Sequence, residues 1–215
     1  MKRVAVGMAL LLLASGCGGK AIVLTEAERQ LAQQVGMPED LLGAMKRVGN
    51  DPRRLEGTDD QGVLKLANGI TVSVLAVEAA DAVKTLRAAA PAGWLAFVSA
   101  HNFDIGGEPD HVSLLKGNRF QDAIQAMGTN GINYDIGPEK VSQQLAAWDA
   151  RYGLVLEGAG FGWFEASFTR PPADMVAFAR EVYAFCPDVV DQGTGAVEAL
   201  AAEMSRTNTL YLWWD

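Results

Sequence analysis

Cys186 and the carboxylates after it, in the run Phe185-Cys186-Pro187-Asp188-Val189-Val190-Asp191-Gln192-Gly193, are the residues of this chain best suited by type to nucleophilic chemistry. A cysteine attacks as its thiolate, which a nearby cation or helix N-terminus favours and a nearby carboxylate opposes. Asp188 and Asp191 therefore work against a reactive thiol unless the fold brings something positive to Cys186. Turn chemistry explains the same residues differently: aspartates in a tight connection accept backbone amides, and a cysteine beside proline is a small buried hydrophobe. Two expectations follow, a catalytic Cys186 with Asp188, Asp191 and Gln192 around it, or an inert buried thiol next to a turn.

A second group of chemical residues is the stretch from His101 to His111, which holds both histidines of the chain. His101, Asp104, Glu108, Asp110 and His111 fall within eleven residues and are all metal-ligand types, but their spacing matches no zinc or calcium pattern. Solvated loops collect the same residues, so no metal site is expected. Glu157 and Glu165 could face each other across a hairpin as paired carboxylates, although a solvated sheet face accounts for them as well. Gly158-Ala159-Gly160-Phe161-Gly162 lacks the dinucleotide spacing and is followed by a strand, and Gly128-Thr129-Asn130-Gly131 lacks the lysine of a phosphate loop. No cofactor is expected. The last residues, Trp213, Trp214 and Asp215, end a strand-like run; the two tryptophans would lie on opposite faces, leaving an edge suited to binding.

Several elements must position these groups. Met175, Ala179, Val182, Tyr183 and Cys186 form the apolar stripe of a helix that Pro187 stops, and Thr194 can cap a second helix with Val197, Leu200, Ala201 and Met204 on its stripe. Asp188, Asp191 and Gln192 would then occupy a short link between the two. Near the start, Thr25-Glu26-Ala27-Glu28 is a capping box that opens a helix to about Val35, and Leu41, Leu42, Met45 and Val48 predict another. Asn50 to Gly62 is polar and contains Pro52, and reads as a linker or exposed loop. Val63 to Val77 holds two strand-like runs around Asn68-Gly69, the dipeptide of a tight hairpin.

Helix, strand and strand follow at 78–90, 94–99 and 112–116. Helices at 119–127 and 139–152, strands at 154–157 and 163–168, the two helices above and a final strand complete the order. From residue 110 this is βαββαβ with each helix doubled, which predicts an α+β ferredoxin-like sandwich, preceded by a small helical and hairpin N-terminal region. The expected units are residues 1–16, a signal peptide; 17–62, a tether and N-terminal helices; 63–109, accessory strands and a helix packed on the main domain; and 110–215, the C-terminal domain.

Lys2 and Arg3 before the apolar run Val4 to Ala14 have the form of a secretory signal, too short to span a bilayer comfortably. Ala14-Ser15-Gly16-Cys17 resembles the lipobox of bacterial lipoproteins, with Ala14 where Leu is commoner. That resemblance implies cleavage before Cys17, acylation of its thiol, and export to a bacterial membrane, the outer one in a Gram-negative host. Removing residues 1–16 takes away Lys2 and Arg3 and no acid, leaving 16 basic and 26 acidic side chains, a formal charge of -10 in place of -8. Such a charge opposes nucleic-acid binding and adhesion to anionic lipid, so the acyl group would be the membrane attachment. With Cys17 acylated, Cys186 is the one cysteine left and no internal disulfide can form.

The C-terminal half also resembles the bacterial domain-of-unknown-function family 4253. The residues that carry the likeness are Gly128 to Tyr134, Trp148 to Gly153, Gly158-Ala159-Gly160, Phe185 to Asp188 with Asp191-Gln192-Gly193, and Trp213-Trp214-Asp215. The family has no established activity, so the resemblance implies a domain and no reaction. Two functions are expected from the residues. One is a lipid-anchored binding or interaction module of the cell envelope with a possible protein partner, which anchoring, acidity and terminal aromatics favour. The other is an envelope thiol enzyme or hydrolase using Cys186 with nearby aspartate and histidine.

Overall fold

The computed structural model describes residues 22–59, 61–102 and 107–215. Residues 1–16, the expected signal peptide, and Cys17 and Asp104 lie outside them. The protein is a mixed α+β fold with one seven-stranded mixed sheet. In chain order the elements are α1 (Glu26–Val35), α2 (Glu39–Val48), β1 (Asn50–Thr58), β2 (Leu64–Val74), α3 (Ala79–Ala89), β3 (Trp94–Ala100) and β4 (Asp110–Lys116). They continue with α4 (Phe120–Met127), α5 (Pro138–Tyr152), β5 (Leu154–Gly160), β6 (Trp163–Phe168), α6 (Met175–Phe185), α7 (Val197–Thr207) and β7 (Thr209–Trp213). The strands lie in the order β1-β2-β4-β3-β5-β6-β7.

Local signals set several boundaries, the Thr25 to Glu28 capping box and the stop at Pro187 as the sequence predicts. Thr25 caps α1, with its hydroxyl accepting the Glu28 amide and the Glu28 carboxylate accepting the Thr25 amide. Gly36 follows in the left-handed region, at φ 64°, and closes the helix. Asp174 caps α6 through the Ala177 amide at 2.9 Å, and Cys186 and Pro187 end it. Thr194 does not cap α7 as expected. The chain between the helices makes a π-helical turn, Val189–Thr194, and the Thr194 hydroxyl donates to the carbonyls of Val189 and Ala196.

Two expectations about the N-terminal half are corrected. Asn50 to Gly62 is not a linker, since most of it is β1, the edge strand, antiparallel to β2. Asn68-Gly69 is not a turn but lies inside β2, with Gly69 opposite Leu115 of β4. The glycine is needed there for proximity: a Cβ would stand 2.5 Å from the Leu114 carbonyl oxygen. The ferredoxin-like arrangement does not follow from the observed pairing either. β4 has β2 and β3 as its neighbours and meets none of β5, β6 and β7, because β3 lies between β4 and β5.

The sheet carries a core on each face. One packs α1, α2 and α3 against Ile70, Val72, Ala96, Val98, Val112 and Leu114. The other packs α4 to α7 against Phe97, Leu115, Ala159, Phe164, Ala166, Leu210 and Leu212. The first takes its buried strand residues from β2, β3 and β4 alone, with Trp163 at its margin. On that face, β6 and β7 therefore present half-buried Trp163, Glu165, Ser167, Tyr211 and Trp213.

Candidate ligand groove beside the last strand

Cys186 is fully buried at the end of α6. Its thiol donates to the Trp213 carbonyl at 3.0 Å, and burial pushes its pKa up to about 12. No thiolate forms near neutral pH in such a place, so Cys186 has the environment of an inert thiol rather than of a nucleophile. Alkylation by iodoacetamide at pH 8 should therefore be at least about 100-fold slower in the folded chain than in denaturant, because modification requires the thiol to be opened to solvent. Equal rates would refute this placement.

Asp188, also buried, works as a clamp. Its Oδ1 accepts the Tyr134 hydroxyl at 2.6 Å and Gln192 Nε2 at 2.9 Å, while Oδ2 accepts the Asp215 amide at 2.9 Å. Burial alone would raise the pKa of this carboxyl, but the three donors, Tyr134 foremost, hold it below the ordinary aspartate value. The same bond pushes the Tyr134 hydroxyl up to about 12. Asp191 is elsewhere, accepting the Tyr183 hydroxyl at 2.9 Å. Asp188, Gln192 and Asp215 thus come together, and what they hold is the end of the chain.

Trp213 and Trp214 do lie on opposite faces. Trp214 is buried edge-on to Phe185, with ring centroids 5.7 Å apart. A Cβ on Gly131 would stand 2.6 Å from the Trp214 ring. The Gly128 to Gly131 run is a buried turn, as expected: the Thr129 hydroxyl donates to the Gly160 carbonyl at 2.8 Å, and the Asn130 carboxamide bridges Gly128 and Ile132. Trp148 and Arg151, from another run the resemblance rests on, share Glu181 of α6. These residues build the fold.

Of the five ligand-type residues of the His101 to His111 stretch, Asp104 lies outside the described residues, and His101, Glu108, Asp110 and His111 do not gather into one cluster. Among the described residues no group of three or more could hold a metal ion. His111 is turned to Arg53, whose Nη2 donates to its Nε2 at 2.8 Å; burial and then that guanidinium lower its pKa, so the ring is neutral. Glu108 is exposed. His101 and Asp110 do meet: Nδ1 lies 2.8 Å from Asp110 Oδ2, and the other Asp110 oxygen accepts the Asn102 amide at 2.8 Å. His101 Nε2 lies 3.6 Å from Glu165 of β6, and its ring rests against Trp163 with centroids 4.9 Å apart.

Glu165 foremost, and Asp110 after it, raise the His101 pKa above 6.5 against the opposing effect of burial. A histidine with a raised folded pKa stabilises fully below its unfolded value and loses that contribution as pH rises through the folded value. The stability of the protein is therefore expected to fall as pH rises above 6.5 through the His101 folded value, and Glu165→Gln should flatten that fall while lowering the His101 pKa read by NMR of the ring protons. An unmoved pKa would disprove the coupling. Glu157 is not paired with Glu165; it accepts Arg87 Nη2 at 2.9 Å and the Ser167 hydroxyl at 2.7 Å.

His101 and Glu165 stand at the wall of a cavity of about 530 Å³ that runs along β7. One side is formed by Thr209, Tyr211 and Trp213 of β7, the other by Leu200, Glu203, Met204 and Thr207 of α7, with Val189, Gly193 and Thr194 of the π-helical turn at the end. Its size is that of a small-molecule or peptide-segment site. Trp213 was expected at a binding edge and lines the groove; Trp214 and Asp215 instead anchor the strand. Sequence alone gives neither Glu165 as a partner of His101 nor Glu203 as a wall of the groove. One signal was available: Trp163, Glu165 and Ser167 alternate with Phe164, Ala166 and Phe168, which marks an uncovered sheet face.

The fold and groove define an α+β domain with a polar and aromatic cleft at a sheet edge. Residues 111–215 match the model of a family described as a domain of unknown function (DUF4253). The match begins at the second residue of β4 and takes in every element that lines the groove except His101. No curated protein matches the chain, and no solved structure does.

Proposed function

We propose that the chain is a lipid-anchored protein of the bacterial cell envelope that works as a binding or interaction module, with the groove beside β7 as its ligand site. The supporting observation is the cavity of about 530 Å³, which combines hydrogen-bonding groups from His101, Glu165 and Thr209 with apolar walls from Leu200 and Met204. The lipobox-like Ala14 to Cys17 supports anchoring, and the acidic balance supports a partner other than nucleic acid.

Mass spectrometry of the chain from membranes tests the anchor: an acylated Cys17 at the N-terminus is expected, and an intact unacylated start in the soluble fraction would remove it. Thr207→Trp, which fills the groove from an exposed position, tests the site. Loss of retained ligand with the native circular dichroism spectrum kept is expected, and unchanged retention would reject the groove.

Hydrolysis is the second reading, and the Asp110–His101 pair favours it because a carboxylate on Nδ1 orients Nε2 toward the cavity. It is weaker, since Glu165 and Asp110 raise the His101 pKa and so favour the charged ring, which cannot act as a base. The version with Cys186 as nucleophile is weaker still, given the buried neutral thiol.

A further inference from the structure

We propose that the groove takes an extended peptide bearing a lysine or arginine, which joins β7 as an additional strand; this rests on the groove being the ligand site. The backbone of β7 carries the argument. The Trp214 amide donates to the Gly162 carbonyl at 2.9 Å and the Phe168 amide to the Asn208 carbonyl at 3.1 Å. With Trp163 opposite Trp213 and Glu165 opposite Tyr211, the even-numbered residues of β7 turn their amides and carbonyls to β6. Thr209, Tyr211 and Trp213 turn theirs to the open edge.

Two of those groups are already occupied. The Trp213 carbonyl accepts the Cys186 thiol, and the Thr209 amide donates to the Thr207 hydroxyl at 3.3 Å. The Tyr211 amide and carbonyl remain as an adjacent donor and acceptor, the unit on which an added strand pairs. Leu200, Glu203, Met204 and Thr207 have the spacing of one helix face and form the opposite wall, so the occupant lies between a strand edge and a helix.

Charge selects the occupant. Among the described residues no lysine or arginine lines the cavity, whereas Glu165 and Glu203 do, together with the rings of Tyr211 and Trp213. Carboxylates and aromatic faces suit a cationic side chain. An acidic peptide would meet like charge, and the chain as a whole is also acidic.

The test uses the full chain in detergent micelles and two pools of capped hexapeptides, random except for a fixed central lysine in one pool and a fixed central glutamate in the other. The lysine pool should be retained about tenfold more, and its best binder should slow Tyr211 and Trp213 amide exchange by about tenfold or more. N-methylation of alternate amides in that binder should abolish the effect, and Glu203→Lys, a change at an exposed position, should remove the preference for lysine. Equal retention of the pools, or no retention of either, overturns the proposal. Full binding with each of the two sets of alternate amides N-methylated in turn overturns strand addition and leaves the groove standing. Retention unaffected by Thr207→Trp rejects the groove itself. Concentration-dependent protection of Tyr211 without peptide would assign the edge to a second copy of the chain and sink the peptide.

Discussion

Asp188→Ala is expected to lower the melting temperature by about 6–12 °C. The carboxylate is buried and accepts Tyr134, Gln192 and the Asp215 amide. Deleting it strands those donors, and losing hydrogen bonds to a buried charged acceptor costs about 3 kcal/mol. In a chain of this size each kcal/mol moves the midpoint by about 2–4 °C. A pH series gives the sign. The folded pKa of Asp188 lies below 3.8, so its contribution is present above the unfolded value and is lost as pH falls through the folded one. The gap between native and variant should be full at pH 7 and close progressively below pH 3.8. A gap that stays constant into acid would mean that the effect is packing alone.

Gly160→Ala should cost about 1–3 kcal/mol, the usual range when a methyl group is forced into a packed position. A Cβ there would press into the Trp163 indole at Nε1, and one on Gly158 would press on the far rim of the same ring. The indole lies across both glycines, held on its other sides by His101 and by Tyr211, with centroids 4.9 and 6.2 Å away. Displacing it should also shift the His101 titration. Gly160→Ala combined with Trp163→Leu, which removes the ring, should recover part of the loss; additive losses would show that the glycine serves the backbone instead. Gly158 and Gly160 are thus strand residues chosen for what lies over them, not turn residues as their composition suggests.

That contrast explains what could be read from the sequence. Thr25, Glu28 and Asp174 act within one turn of their own helix, so their roles follow from spacing alone. The helices at α5, α6 and α7 bury a stripe along their length and were equally readable. β1 was not, because an edge strand needs little apolar surface: Leu55 and Gly57 are its only buried residues, and Asp51, Pro52, two arginines and Glu56 fill most of the remainder. Asn68-Gly69 has strong turn chemistry, yet pairing on both sides of β2 overrides it. The site was half legible. His101 and Asp110 are near in sequence, but Glu165 is brought to them by the strand order, which no local pattern encodes. Cys186 and Asp188 stand two residues apart, yet the helix end turns one toward the Trp213 carbonyl and the other toward Tyr134.

The single parallel junction of the sheet, between β3 and β5, has a further consequence. It is secured by one ladder pair, Val98 with Gly158, whereas the antiparallel ladders on either side run five or more residues. In the sheet itself two leaves, β1-β2-β4-β3 and β5-β6-β7, meet at this one junction, while on the face of α4 to α7 a shared core of Phe97, Leu115, Ala159 and Phe164 joins them. The clasps across that junction are side chains: Arg87 reaches from α3 to Glu157 and to the Leu156 carbonyl, and His101 reaches from the end of β3 to Glu165. Because one clasp is a histidine whose charge Glu165 favours, alkalinity weakens the tie between the leaves on the face that the shared core does not cover.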